Sequence, residues 1–436
     1  MRGERGARLT RSDSPPGLLA RVRHFFGLEQ SIIGLLVMVV LVGMGERLAE
    51  RFVPVYLIAL GASAVVPGLL NALDTLLSAL YSFPGGWLTS RIGYKRALLI
   101  FNLVALFGYA VVIVIPIWPA VIAGSVFFLS WTALSLPATM ELVSSVLPKH
   151  KHTMGVSVHS LVRRIPMALG PVLGGIFIDT WGIETGVRMA FGLAIVFGLV
   201  ALVAQQTMIV EKTCGERKPV PGFYRLVTTM PGRLRDLLVS DILVRFCEQL
   251  PYAYIAIWAM YPDQGMVPLA ASGLPLEFAF IGPVFSDGVT AVQFGLLTGI
   301  EMLTALLVYI PVAWLVDRSR KKPFVVITFI NFTLFPLALW QARGFFLLTL
   351  VFILRGLKEF GEPTRKALIM ELAPPEHKAA SFGAYYLVRD TVVSVAALAG
   401  AFLWQTNPDL VFLLATCFGA AGTVWFMIRG RDGQSP

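Results

Sequence analysis

The sequence predicts an all-α membrane protein with twelve transmembrane helices in two pseudo-symmetric six-helix halves. Hydropathy, the placement of basic residues and an internal repeat support this prediction. The chain has 436 residues, of which 56% are hydrophobic and 14% charged, whereas soluble domains carry about a quarter of their residues as charges. Its mean hydropathy is +0.74. Apolar runs of roughly twenty residues match the roughly 30 Å hydrocarbon layer of a bilayer. Lipid therefore surrounds most of the chain.

The apolar runs define twelve predicted spans, numbered here in chain order. They cover residues 31–58, 68–89, 97–117, 119–146, 153–179, 187–205, 237–261, 289–316, 324–341, 345–372, 379–405 and 410–428. The predicted organisation is an N-terminal segment 1–30, a first half 31–205, a linker 206–236, a second half 237–428 and a tail 429–436.

Basic residues concentrate in alternate loops. The loops on the other side carry only Arg188 and Arg343, near helix ends. Because basic loops stay on the cytoplasmic side, both termini are expected in the cytoplasm and the protein in the cell membrane. The net charge of +10 therefore reflects topology, and a nucleic-acid partner is not expected. The basic residues in the loops within each half are Arg91, Lys95, Arg96, Lys149, Lys151, Arg318, Arg320, Lys321, Lys322 and Lys378. The 206–236 linker adds Lys212, Arg217, Lys218, Arg225, Arg233 and Arg235.

The two halves match at a nearly fixed offset along the chain. Asp74 corresponds to Glu301 at an offset of 227, and Arg163-Arg164 corresponds to Arg389-Asp390 at 226. Span 1 aligns with span 7 at an offset of 202, which implies extra sequence between spans 7 and 8. That insertion, 263–288, is rich in Gly and Pro, lacks Lys and Arg, and is expected on the outer face. Duplicated halves of this kind hold their substrate between them, near the membrane midplane.

Two loop motifs occupy equivalent places after spans 2 and 8. Residues 86–96 read GWLTSRIGYKR, and residues 314–322 read WLVDRSRKK. Both resemble the loop signature of the major facilitator superfamily, in which Gly is followed by Asp-Arg, Gly and a basic pair. With the helix count, loop charges and repeat, the resemblance covers nearly the whole chain. It implies the twelve-helix fold of that superfamily and transport by alternating access.

The resemblance assigns these loops to the inner gate, through Gly86, Arg91, Gly93, Asp317 and Arg318. An acidic residue there can cap a neighbouring helix N-terminus, where the backbone dipole is positive. Ser90 stands where the first copy should have Asp, so the N-terminal latch is expected to be the weaker one. The alternative is that both loops only anchor helix ends at the membrane surface.

Span 5 contains Gly170, Pro171, Gly174 and Gly175. This run looks like the core of a signature found in proton-coupled antiporters of the superfamily, although Pro166 stands where one upstream glycine is expected. Small residues also permit close helix contact in membranes. We therefore favour a packing role for this run.

Many ionisable residues lie inside the predicted spans, where each is costly in lipid and normally faces the bundle interior. On span 10, Arg355, Lys358, Glu359 and Glu362 have the spacing of one helical face. The resemblance makes that face line the cavity, whereas structural ion pairing is the alternative for each charge. The substrate-cavity candidates are Glu46, Glu50, Arg163, Arg164, Arg245, Glu248, Arg355, Lys358, Glu359, Glu362, Arg389 and Asp390.

A buried carboxylate can carry a coupling proton, because burial and a nearby arginine change its proton affinity in opposite directions. The candidates for this role are Glu46, Asp74, Glu301 and Glu359, and His159 on span 5 is a weaker one. No Gly-rich nucleotide loop is present, and the three cysteines are scattered, so no enzyme activity, cofactor or metal site is predicted.

The sequence therefore favours a secondary active transporter that moves a small polar or ionic solute, with protons as the coupling ion. The partial antiporter signature in span 5 favours efflux slightly. The alternatives are a proton-coupled importer of an organic ion or metabolite, and a transport-inactive sensor or scaffold with the same fold. The expected partners are the solute, protons and membrane lipid, and the protein is expected to be a monomer.

Overall fold

The computed structural model describes residues 30–129, 131, 135, 138–139, 142, 159, 161–210, 223–261, 288–316, 321–374 and 378–431. The described part of the first half contains α1 Gln30–Glu50, α2 Val53–Ala59, α3 Val65–Ile92, α4 Tyr94–Val114, α5 Trp118–Phe128, α6 Arg164–Trp181 and α7 Ile183–Met208. Span 1 is α1 with α2, and spans 2, 3, 5 and 6 are α3, α4, α6 and α7. Span 4 begins with α5, and beyond Phe128 only a few of its residues are described.

A short helix in the linker, α8 Phe223–Thr228, precedes the second half. Span 7 is α9 with α10, spans 8 and 9 are α11 and α12, span 10 is α13 with α14, and spans 11 and 12 are α15 and α16. Their bounds are α9 Gly232–Tyr252, α10 Ile255–Met260, α11 Ala291–Val316, α12 Lys321–Gln341, α13 Gly344–Leu357, α14 Glu362–Leu372, α15 Lys378–Thr406 and α16 Pro408–Arg429.

Spans 1, 7 and 10 are interrupted, so the prediction of one continuous helix for each of them is wrong. In span 10 a 3-10 turn, Lys358–Gly361, separates α13 from α14. Spans 1 and 7 break at 51–52 and 253–254. These breaks are 202 residues apart, which is the offset at which the two spans align. Pro54 and Pro251 lie beside the breaks. They favour a break there because proline lacks the N–H that a continuous helix requires.

Two glycines bring the first and fifth helix of each half into backbone contact. A Cβ on Gly174 would collide with the carbonyl oxygen of Leu48, and one on Gly400 would collide with that of Leu250. The glycines are 226 residues apart and the leucines 202, so the same contact recurs in both halves. The backbone thus preserves the repeat at this contact, where close approach excludes a side chain.

The perimeter of the bundle is apolar, as lipid requires. Phe107, Val203, Leu307, Phe346 and Ile428 are each more than half exposed. Within the described residues, seven helices are long and apolar enough to cross a membrane by length and composition. They are α1, α4, α7, α11, α12, α15 and α16. The remaining spans are interrupted, carry more charge, or continue beyond the described residues.

The two halves pack tightly at one end of the bundle, called here the closed end. One seam joins α6 to α11, where a Cβ on Gly175 would collide with the backbone oxygen of Ala291. The second seam joins α3 to α15, where Gly68 faces Ala401. Small residues allow this approach because no side chain holds the backbones apart.

Hydrogen bonds reinforce the closed end. Asp179, near the end of α6, accepts hydrogen bonds of 3.0 Å from the backbone N–H groups of both Ala291 and Val292. A carboxylate is favoured at this place because the N-terminus of α11 carries unpaired donors and a positive dipole. Tyr254 donates to the carbonyl oxygen of Ala64 at 2.8 Å. Within the described residues, the polar contacts between halves run from this end to the middle of the bundle.

Candidate functional site

Ten charged side chains of the second half form one chain of ion pairs, called here the ionic network. Acids and bases alternate along it, five of each, and a sixth base, the exposed Lys366, branches from it at Glu362. It connects α9, α11, α13, α14, α15 and the turn between α13 and α14. In order, its members are Asp390, Arg389, Asp241, Arg365, Glu362, Arg245, Glu248, Lys358, Glu301 and Arg355.

Asp241 is the centre of one end of the network. It pairs with Arg365 and also accepts from the Tyr385 hydroxyl at 3.0 Å and from Arg389 at 3.4 Å. Asp241 and Arg365 are each 1% exposed. A buried carboxylate is tolerated when its charge is paired and its oxygens accept hydrogen bonds. Arg389 reaches Asp390 at 2.7 Å as well, which closes this end of the network.

Glu301 and Glu248 organise the other end. Arg355 pairs with Glu301 at 3.1 Å, and Lys358 reaches Glu248 at 2.6 Å and Glu301 at 3.8 Å. The guanidinium of Arg355 also lies 5.1 Å from the centre of the Phe335 ring. Arg355 is 2% and Glu301 1% exposed, so this pair lies deep in the half.

The four charges of span 10 do not act as one stripe. Arg355, Lys358 and Glu362 join the ionic network, whereas Glu359 forms a 3.2 Å ion pair with Arg164 of the other half. The 3-10 turn explains this difference, because it changes the angle per residue that an α-helix would maintain. The prediction of one shared face on a continuous helix is therefore wrong.

Span 1 carries a local charge cluster instead of a network. Arg47 pairs with Glu50 and lies 3.5 Å from Glu46. Next to this cluster is a cavity of about 410 Å³ inside the first half, called here the N-half cavity. The guanidinium of Arg163 lines it and makes no ion pair or hydrogen bond with the residues that the structure describes. The full lining is Val39, Gly43, Glu46, Arg47, Trp131, Ser135, Thr139, His159, Arg163, Pro166 and Met167.

A second cavity, of about 560 Å³, lies between the halves and is called here the inter-half cavity. Glu50, Arg51 and Asp74 of the first half line it together with Tyr252 of the second. Arg51 donates to the Tyr252 hydroxyl at 3.0 Å. Of the proton-coupling candidates, Asp74 borders this cavity, Glu46 borders the N-half cavity, Glu301 is in the network and Glu359 joins the halves.

The predicted gating residues are described only in part. Gly93 joins α3 to α4 with a φ of 84°, a conformation that favours glycine. Arg91 is exposed at the end of α3, and for Gly86 only its place within α3 is described. Asp317 and Arg318 lie outside the described residues. On span 5, Gly170 contacts Arg47, and Pro171 provides the oxygen that a Cβ on Gly295 would meet.

Sequence reasoning missed Asp241, Arg365 and Asp179. The first two lie within the predicted spans 7 and 10, so the rule that flags charges within spans would have found them. Asp179 ends span 5, and only the contact across the halves gives it a role. Within the described residues, no cluster of three or more His, Cys, Asp or Glu side chains could hold a metal ion.

Paired charges inside a duplicated bundle of apolar helices, with cavities within and between the halves, define a polytopic membrane transporter. The family model of the Major Facilitator Superfamily matches residues 35–213 and 253–436. The chain belongs to this superfamily. No curated protein sequence matches it significantly.

Solved structures share the fold at low sequence identity. A mutant of peptide transporter POT in complex with sulfate aligns with a TM-score of 0.73 and 14% identity, over 93% of this chain and 94% of that one. A POT family transporter in complex with 5-aminolevulinic acid gives 0.68 and 13%, over 90% and 94%. A mutant of the nucleoside transporter NupG gives 0.71 and 11%, over 92% and 100%.

Proposed function

We propose that this protein is a secondary active transporter that moves a small polar or ionic solute by alternating access, with proton coupling. The observation that carries the proposal is the 3.2 Å ion pair between Arg164 and Glu359. It links the two halves near the middle of the bundle, where transporters of this architecture bind their solutes. Ionisable residues in that position are costly and are retained for a pathway or a relay.

The two cavities support a polar solute. Both have charged side chains in their lining, and the inter-half cavity receives residues from both halves. Among the structural neighbours are transporters named for peptides and for nucleosides, which are polar molecules. The seams at the closed end support alternating access. Because the halves pack closely at that end, the solute can exchange with water only at the opposite end.

Glu359 is the best-placed coupling carboxylate. It is 24% exposed and its partner Arg164 lies on the other half, so a proton on Glu359 would cancel the attraction between the halves. Glu301 suits the role less well, since two cations of its own half hold it and it is 1% exposed. Proton binding at Glu359 would therefore couple directly to separation of the halves.

Transport in proteoliposomes tests the coupling. A panel of metabolites and drugs is presented with and without a pH gradient, and accumulation of a solute driven by the gradient is expected. Glu359→Gln should lose this accumulation but keep exchange of solute across the membrane without a gradient. Glu371→Gln is the matched control, because Glu371 pairs with Lys321 inside one half. Gradient-driven accumulation by Glu359→Gln would contradict the proposal.

The direction of proton movement distinguishes the alternatives. Efflux by antiport, which the partial signature on span 5 favours slightly, requires protons to move opposite to the solute. An importer moves both the same way, and a transport-inactive scaffold shows no exchange for any solute.

We also propose that the protein lies in the cell membrane with both termini and the 206–236 linker in the cytoplasm. The basic loops support this orientation. Reporters fused at either terminus or within the linker should be cytoplasmic, and one fused within 263–288 should be outside. Finding 263–288 on the same side as the C-terminus would contradict the twelve-helix topology.

A further inference from the structure

The N-half cavity occupies the place that the ionic network fills in the second half. At the repeat offset of 202, Val39 corresponds to Asp241 and Gly43 to Arg245. At the offset of 226, Thr139 corresponds to Arg365. Val39, Gly43 and Thr139 all line the cavity. The first half therefore has small uncharged residues where the second half has the acid and two of the bases that fill its interior.

The groups that hold the carboxylate of Asp241 keep hydrogen-bonding counterparts in the first half. Asp241 is bound by Arg365, Tyr385 and Arg389. The corresponding residues are Thr139, His159 and Arg163, and all three line the N-half cavity. A hydroxyl, an imidazole and a guanidinium thus line a space that lacks the carboxylate found at the equivalent place in the second half.

One cation of the cavity lining has no ion-pair partner among the described residues. Arg47, Arg163 and Glu46 line the cavity, and Arg47 lies 3.5 Å from Glu46. Arg47 is also paired with Glu50. Arg163 makes no ion pair with the described residues, whereas its counterpart Arg389 binds two carboxylates. A cation inside a bilayer span without a paired anion is costly, so an anionic ligand would be stabilised there.

We propose that the N-half cavity binds the carboxylate of a small organic acid, in the position that the Asp241 carboxylate has in the second half. This inference rests on the proposed function and specifies its substrate class. Arg163 would pair with the carboxylate, and His159 and Thr139 would hydrogen-bond it. Trp131, Pro166 and Met167 provide apolar surface for the rest of the molecule.

Equilibrium binding to the full chain in detergent tests the proposal without requiring transport. The probes are benzoate and succinate, with the neutral amides benzamide and succinamide as matched controls. The carboxylates should bind at least about tenfold more tightly than the amides, because an amide cannot form the charge-assisted hydrogen bond that a carboxylate forms with Arg163. Arg163→Gln should weaken carboxylate binding by a similar factor and leave the amides unaffected.

The repeat supplies a second and sharper variant. Val39→Asp introduces the carboxylate that the second half has at this position, so it should pair with Arg163 and prevent benzoate from binding. Val39→Asn has nearly the same size without the charge and should retain binding within a few-fold. Thermal unfolding of each variant establishes whether it is folded. If Val39→Asp does not fold, the comparison of Arg163→Gln with the unmodified protein tests the proposal.

Three results would overturn the inference: equal binding of acids and amides, equal binding by Val39→Asp and Val39→Asn, or binding that survives Arg163→Gln. Chloride that binds as tightly as benzoate, with the same dependence on Arg163, would also overturn the assignment to organic acids. Carboxylate binding without exchange of any solute would refute the proposed transport function alone. Transport of a neutral or cationic solute without carboxylate binding would refute this inference alone.

Discussion

The two halves share a backbone but differ in how they treat charge. Spans 1 and 7 break at equivalent residues, and Gly174 and Gly400 make equivalent contacts with a carbonyl oxygen. The interior of the second half is filled by alternating acids and bases, whereas the equivalent region of the first half is a cavity. The two halves thus share this helix contact, whereas their side chains decide which half neutralises its charges internally and which leaves a cation available.

The largest effect is expected from Asp241→Asn, because it leaves Arg365 and Arg389 without their shared carboxylate. Removing one partner of a buried ion pair costs about 3–5 kcal/mol. Unfolding by SDS, followed by circular dichroism, measures this loss. Asp390→Asn is the control, since Asp390 is 22% exposed at the end of the network and should cost less than about 1 kcal/mol. Equal losses for the two variants would mean that the network does not stabilise the second half as a unit.

A double replacement examines the other end of the network. Arg355→Leu alone should cost about 3–5 kcal/mol because it leaves Glu301 poorly paired. Arg355→Leu combined with Glu301→Leu should restore stability to within about 1 kcal/mol, since an apolar pair can replace a buried ion pair. The first half already has Leu129 at the position equivalent to Arg355. A double variant that is as unstable as Arg355→Leu would contradict the pairing. A double variant that is stable but does not transport would indicate that the pair has a role in the transport pathway.

The glycine contacts should respond alike in both halves. Gly174→Ala and Gly400→Ala each place a Cβ against a carbonyl oxygen, and overpacking of this kind costs about 1–3 kcal/mol. Gly192→Ala is the matched control, because nothing lies within 4 Å of a Cβ there. Unfolding by SDS measures all three variants. A loss of stability for only one of the two glycine variants would show that the equivalent backbone contacts do not contribute equally to stability.

The smallest effect is expected at the closed end. Asp179→Ala removes two hydrogen bonds to the N-terminus of α11, and loss of a helix cap costs about 0.5–2 kcal/mol. The equilibrium should shift toward opening of this end. Spin labels at Ser63→Cys and Asn407→Cys, on opposite halves, report the shift as longer distances in a background without native cysteines. Asp179→Asn keeps one acceptor and should shift the distances less. An unchanged distance distribution for Asp179→Ala would show that Asp179 does not hold the closed end together.

The sequence determined the features that depend on composition and local spacing. The spans follow from hydropathy, because lipid imposes a similar length on each of them, and the repeat follows from residues matched at a nearly fixed offset. The offset of 202 for span 1 is also the separation of the breaks at 51–52 and 253–254, although the sequence did not predict the breaks themselves. The sequence further identified Arg163 and Arg389 as charges within spans, although it could not distinguish a paired cation from an unpaired one.

Only the tertiary structure decided which charges meet. Helical periodicity predicted a single face for Arg355, Lys358, Glu359 and Glu362, but the 3-10 turn at 358–361 sends Glu359 to the other half and the rest into the network. Asp241 and Arg365 are 124 residues apart, and their pairing depends on how α9 packs against α14. A periodic pattern reports directions around one helix axis, whereas an ion pair depends on the register between two helices. The same packing opens the N-half cavity, because only there do Val39, Thr139 and Arg163 surround one space.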